Sequence, residues 1–170
     1  MLGRAIPLSY IDSRHDLSWP EVVLGLREGW LTEADAIDYA ASRLADNGSD
    51  EEVRAIASLH KEEREWLIER VSAVAGREDV DDAEVRLAWM RLILAWVFDN
   101  RHKFEDPLGI VEGIYADFGH PEEIYDLVRY NEPSNHYRPQ DHSKEANLQR
   151  LLSLWEEYVK AHAKLEHRRD

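Results

Sequence analysis

Apolar residues recur at helical spacing along most of this chain, and the exception is residues 83–99, AEVRLAWMRLILAWVFD. Between Val85 and Phe98 only Arg86 and Arg91 are charged, and the apolar residues, Trp89 and Trp96 among them, fall on every side of a helix. A helix that is apolar nearly all round is buried on most of its circumference. The pattern therefore predicts a central helix over 83–99 with other helices packed around it. The segment is too short, and too close to charge, to span a bilayer.

The flanking segments read as capped amphipathic helices. Residues 1–17 show no clear period, and Ile6, Leu8, Tyr10 and Ile11 are expected to pack as an extended arm. Ser18 reads as an N-cap with Pro20 in the first turn and Glu21 in the reciprocal position of a capping box, with a stop near Gly29. Thr32 and Asp35 repeat that signal, and Asn47-Gly48 ends the second helix. Ser49 and the acids 50–52 begin a third, which suits the positive end of a helix dipole. After a break near His60, a helix is expected over about 62–75, with Trp66, Leu67, Val71 and Val74 inward. Asp81 or Asp82 caps the central helix. Asp106-Pro107 places a capping acid before a proline at the first helical position of a helix ending at Phe118-Gly119. A short helix is expected over 120–129, a loop over 131–142, and a long final helix over 143–168 with Leu148, Leu151, Leu152, Trp155, Tyr158 and Val159 on one stripe. Lys160, Lys164, Arg168 and Arg169 gather at its C-terminal end. No segment has a strand period. The expected architecture is all-α: one domain, residues 1–170, of seven or eight helices in an irregular array or a short solenoid-like stack.

Composition narrows what such a protein does. Lys and Arg total 21 against 35 Asp and Glu, a formal charge of −14. That argues against nucleic acid or an anionic membrane as partner, since both attract positive charge, and it favours basic macromolecules. Cysteine is absent, so there is no disulfide frame and no thiol chemistry. The N-terminus has no apolar run of signal-peptide length, so a cytoplasmic location is expected. Of the six tryptophans, Trp66, Trp89, Trp96 and Trp155 fall on apolar faces and are expected in the core, while Trp19 and Trp30 bracket the first helix.

Gly-rich phosphate loops, an H-E-x-x-H helix and a nucleophile elbow are all missing, so no catalytic residue, metal ligand or cofactor is expected. The histidines His120, His136 and His142 lie at turns and loops without ligand spacing. Carboxylates are the remaining candidates. Seven acids and no Lys or Arg lie between Phe104 and Val128. Glu112 and Asp117 diverge by about 140° on a helix and do not converge on one ligand. Glu122 and Glu123 each share a face with Asp126, and acids at a first turn suit the helix dipole without any further role. Glu65 and Glu69 with Glu123 and Asp126 imitate, at poor spacing, the magnesium sites of all-helical nucleotide pyrophosphatases. Tyr115, Tyr125 and Tyr130 accompany these acids, and large rigid side chains make binding hot spots. The candidate partner-binding set is therefore Glu112, Asp117, Glu122, Glu123 and Asp126, with Tyr115, Tyr125 and Tyr130 as anchors.

Two blocks carry a family resemblance. Residues 106–130, DPLGIVEGIYADFGHPEEIYDLVRY, and residues 18–40, SWPEVVLGLREGWLTEADAIDYA, resemble the signature blocks of a bacterial domain-of-unknown-function family of small acidic all-helical proteins. The matching positions include Trp19, Gly25, Trp30 and Leu31 in one block and Asp106, Pro107, Tyr115, Asp117, Phe118, Pro121, Glu122 and Tyr130 in the other. This chain departs from the pattern at His120, where the family usually has an aromatic, and at Asn131-Glu132-Pro133, where it has Met-Pro. The resemblance implies no enzyme activity. It implies, through similar proteins thought to be immunity proteins of polymorphic-toxin systems, a non-enzymatic inhibitor that binds a basic toxin. The alternatives are a metal-dependent hydrolase using the clustered carboxylates and a helical scaffold.

Overall fold

The computed structural model describes residues 5–47 and 50–163. These form eight α-helices and four short 3-10 segments, with no β-strand among the described residues. The fold is all-α, as the apolar spacing predicts. The chain divides into two compact units, and the division falls at Trp89–Met90, inside a single helix.

The first unit contains α1 (Leu8–Asp12), α2 (Trp19–Arg27), α3 (Glu33–Asn47), α4 (Glu51–Ala57), α5 (Leu67–Ala75) and the first half of α6 (Asp82–Asp99). Here α2 packs on α3 and α5, and α4 packs on α3 and α5. Glu21 ties several elements together. Its carboxylate accepts from the Ser18 backbone N–H at 2.6 Å while Ser18 Oγ accepts from Glu21 N, which completes the capping box of α2. His15 Nε2 lies 2.9 Å from both carboxylate oxygens. The Glu21 carbonyl accepts from Trp89 Nε1 at 2.8 Å. A carboxylate only 6% exposed needs such partners, because an unpaired buried charge is costly. Thr32 and Asp35 form the reciprocal pair at the start of α3, at 2.9 and 3.1 Å.

The second unit holds the rest of α6, the 3-10 segments Arg101–Lys103, Glu122–Leu127 and Pro139–Asp141, α7 (Pro107–Asp117) and α8 (Lys144–Ala161). Both α7 and α8 pack on the segment Glu122–Leu127. Trp96 meets Phe104 edge-on at 5.9 Å, and Phe98 meets Trp155 edge-on at 5.3 Å. Ser143 caps α8 by accepting from Ala146 N at 3.1 Å.

Several expectations need correcting. The N-terminal arm is not extended throughout: the Pro7 carbonyl accepts from Tyr10 N and Ile11 N at 2.9 and 3.2 Å, which closes a turn and drives Ile11 into the core. The helix expected from 62 is a 3-10 segment, Lys61–Trp66, followed by α5. A 3-10 turn has three residues rather than 3.6. Trp66 is therefore out of phase with Leu67, Val71 and Val74, and it is 52% exposed instead of buried. In place of the helix expected over 120–129 there is a 3-10 segment, Glu122–Leu127, with Ile124 outside helical angles. Leu148, expected on the inward stripe of α8, is 45% exposed. The start assigned to Ser49 lies outside the described residues, as do Gly48, Lys164, Arg168 and Arg169. The observed cap of α4 is Asp50, accepting from Glu52 N and Val53 N at 3.0 and 3.4 Å. Among the described residues no helix is long and apolar enough to cross a membrane.

Gly25 is required by the packing of α2. A Cβ built there stands 2.4 Å from Trp89 Cζ2 and 3.0 Å from Leu31 Cδ1, and the Trp89 ring is fully buried. Gly25→Ala is expected to destabilise the protein by roughly 1–3 kcal/mol through overpacking. Thermal or urea unfolding checks it, and an unchanged midpoint would show that the ring can move aside.

Candidate functional site

The acidic stretch after α6 is held by arginines placed elsewhere in the sequence. Asp106 caps α7, accepting from Gly109 N at 3.0 Å, and Gly109 leaves room for it, since a Cβ there would lie 2.5 Å from Asp106 Oδ2. Arg129 then forks across two carboxylates. Its Nη1 and Nη2 donate to Asp106 at 3.0 and 2.8 Å, and its Nε and Nη2 donate to Glu112 at 2.7 and 2.9 Å. Such bidentate pairs are the strong form of the ion pair. The Arg129 hydrogen bond, with that of the Gly109 amide, holds the Asp106 carboxyl below the usual carboxylate range. Bonding to Glu112 and Asp106 raises the guanidinium's own pKa further.

Glu123 is the second anchored acid. It accepts from Arg91 Nε at 2.9 Å and Tyr158 Oη at 2.6 Å, with His162 Nε2 at 3.4 Å. Burial pushes its carboxyl up, but the hydrogen bonds from Arg91 and Tyr158 and the Arg91 charge more than offset this, so the net shift is downward. Burial and the neighbouring Glu123 push the Tyr158 hydroxyl up. Asp126 accepts from Ser134 N at 2.9 Å and from Ser134 Oγ, which ties the following loop to the 3-10 segment. Burial raises its carboxyl, and the two Ser134 bonds outweigh that and lower it.

Of the predicted set, then, Glu112, Glu123 and Asp126 serve the fold. Asp117 and Glu122 are exposed. The tyrosines separate as well. Tyr115 is buried; Tyr125 is half-buried, with its carbonyl accepting from Asn131 Nδ2 at 3.0 Å; Tyr130 is 63% exposed. Tyr115 nevertheless organises the surface. His120 stands edge-on to its ring at 4.9 Å, and Tyr130 packs on it at 6.5 Å. The turn between them is a Schellman cap: Gly119 N donates to Ala116 O at 3.1 Å and His120 N donates to Tyr115 O at 2.8 Å. Gly119 has φ +80° and His120 φ +61°. Left-handed backbone suits the glycine and strains the histidine, which the ring contact with Tyr115 holds in place. The outcome is an exposed aromatic patch, Tyr130 and His120 on a buried Tyr115, carried on the chain that bears Asp117 and Glu122.

Sequence reasoning missed Arg129 and Arg91 as the groups that hold these acids. The available signals were that Arg91 is one of only two charges inside the apolar helix and that Arg129 is the first cation after the acidic stretch. Among the described residues, no group of three or more His, Asp or Glu is placed to hold a metal ion.

Fold and surface together describe an all-helical acidic protein in which several carboxylates of the second unit are matched to its own arginines and hydroxyls. The chain belongs to a bacterial family described as "uncharacterized protein conserved in bacteria" (DUF2247), whose pattern it matches over residues 8–163. No curated protein and no solved structure matches it.

Replacing Arg129 tests the clamp. Asp106 has a depressed folded pKa, so its contribution to stability is present above the unfolded carboxylate value and is lost as pH falls through the folded one. Arg129→Met should lower the unfolding midpoint at pH 7 and flatten the loss of stability below about pH 4. The pair is largely exposed, so the effect is modest, each such bridge being worth about 0.2–1 kcal/mol. An identical pH profile in both proteins would show that the clamp contributes nothing to folding.

Proposed function

We propose that this protein works by binding a basic protein through the patch of Tyr130, His120, Asp117 and Glu122, and that it is a cytoplasmic immunity-type inhibitor of a basic toxin domain. The observation that carries this reading is Tyr130, exposed over 63% of its surface and seated on Tyr115 within a stretch rich in acids. An aromatic side chain fixed from beneath makes a good anchor, since little conformational entropy remains to be lost on binding. The surrounding charge supports the choice of partner. A chain of formal charge −14 attracts a cationic one and can bring association toward about 10⁸ M⁻¹s⁻¹ at low salt. Rapid capture suits an inhibitor that must act before free toxin does damage. The cysteine-free composition suits a reducing compartment.

The pairings dictate which substitutions are informative. Reversing Glu123 or Asp126 would break the Arg91, Tyr158 or Ser134 contacts and confound binding with folding. Glu122→Lys leaves those contacts alone. Against a basic protein encoded beside this gene, this reversal should slow association about threefold at low salt, with the difference shrinking as salt approaches about 0.5 M. Tyr130→Ala should raise the dissociation rate by about tenfold or more. Unchanged kinetics in both variants, or a neighbouring gene set that is purely metabolic, would contradict the proposal.

A further inference from the structure

The second unit contains a cleft of about 840 Å³ that the acidic patch does not use. Leu108, Leu151 and Leu152 lie along it, and Leu148 is at its edge, exposed over 45% of its surface. Its charged lining runs against the rest of the chain. Four cations, Arg101, Arg129, Lys144 and Arg150, face it with three carboxylates, Glu105, Asp106 and Asp126, on a protein of formal charge −14. The carboxylates do not cancel those cations evenly. Asp106 is bound to Arg129, and Asp126 accepts two bonds from Ser134, although its charge is also felt by Arg150. Arg150 lies over the Tyr137 ring at 4.4 Å and reaches Asn135 Oδ1 at 3.3 Å, an amide and not an acid. Arg101 lies over the Phe98 ring at 4.3 Å and donates to the Phe98 carbonyl at 2.8 Å. Lys144, in the first turn of α8, is exposed and forms no ion pair with any described residue.

A mostly apolar concavity of several hundred Å³ with a few charged groups at its edge is the usual form of a small-ligand site. Arg101, whose charge is felt by Glu156 but which makes no ion pair with a described residue, and Lys144 stand beside apolar walls and select for a ligand that is greasy along its length and negative at one end. We propose that this cleft binds an apolar molecule with a single anionic head, of the alkyl-carboxylate class, with the chain against Leu108, Leu148, Leu151 and Leu152 and the head at Lys144 and Arg101. The proposal is independent of the Tyr130 patch, and either can fail without the other.

Calorimetric titration of the full chain with dodecanoate, below its micelle-forming concentration, tests it, with dodecyltrimethylammonium as the control of opposite charge and equal tail. Dodecanoate should bind saturably, and the cationic analogue at least about tenfold more weakly. Lys144→Glu should weaken dodecanoate about tenfold, and Leu148→Asp, a change at an already exposed position, should do the same while circular dichroism and the unfolding midpoint stay unchanged. Backbone amide shifts on titration should centre on residues 101–108 and 144–152. Failure of dodecanoate to bind, equal affinity for the two heads, unaltered affinity in both variants, or amide shifts centred outside the cleft would each overturn it.

Discussion

A helix that is apolar nearly all round must be covered on most of its surface, and α6 imposes that requirement from Ala88 to Phe98. The first half gives Trp89 to the first unit, where its indole N–H is satisfied by the Glu21 carbonyl and its ring dictates a glycine at position 25. The second half gives Trp96 and Phe98 to the second unit, against Phe104 and Trp155. Large aromatic side chains fully removed from water contribute a substantial share of folding free energy. Polar groups nearby have correspondingly narrow freedom and mostly find a partner or stay at the surface, Trp155 Nε1 being buried without a hydrogen-bond partner among the described residues. Arg91 shows the rule: as one of two charges within the apolar run, it sits half-buried with its guanidinium on Glu123.

The surplus of acids is the second constraint, and the second unit resolves it by assignment. Arg129 gathers Asp106 and Glu112; Arg91, Tyr158 and His162 gather on Glu123; Ser134 holds Asp126. A surface that looks uniformly negative in sequence is therefore divided. Some of these acids are tied to the fold, and others, such as Glu122, face outward on the stretch that carries Tyr130. On the same unit, four cations and three carboxylates face the apolar cleft, so that region does not share the acidic excess of the chain.

What was legible in the sequence was what is local. The capping boxes at Ser18–Glu21 and Thr32–Asp35, and the caps Asp106 and Ser143, each bond within three residues, so residue type and spacing suffice to place them. The apolar circumference of α6 was equally plain. Two kinds of feature were not. Trp66 lost its predicted burial because a 3-10 segment shifts the helical phase, and nothing in the apolar spacing distinguishes that turn from the start of an α-helix. The pairings of the acids were not legible because the deciding contacts are distant: Arg91 reaches Glu123 across 32 positions and Tyr158 reaches it across 35. Tyr115 and Tyr130 sit in one stretch with one composition, yet one is core and the other surface, because the Schellman turn at Gly119 and the 3-10 segment Glu122–Leu127 intervene.

The most direct measurement of the central claim is amide hydrogen exchange on the full chain with and without a basic protein encoded beside its gene. The account predicts slowed exchange over residues 115–132, centred on Tyr130, with the amides of α2 and α3 unaffected. Protection confined to residues 5–89, or no protection anywhere in the presence of that protein, would contradict it.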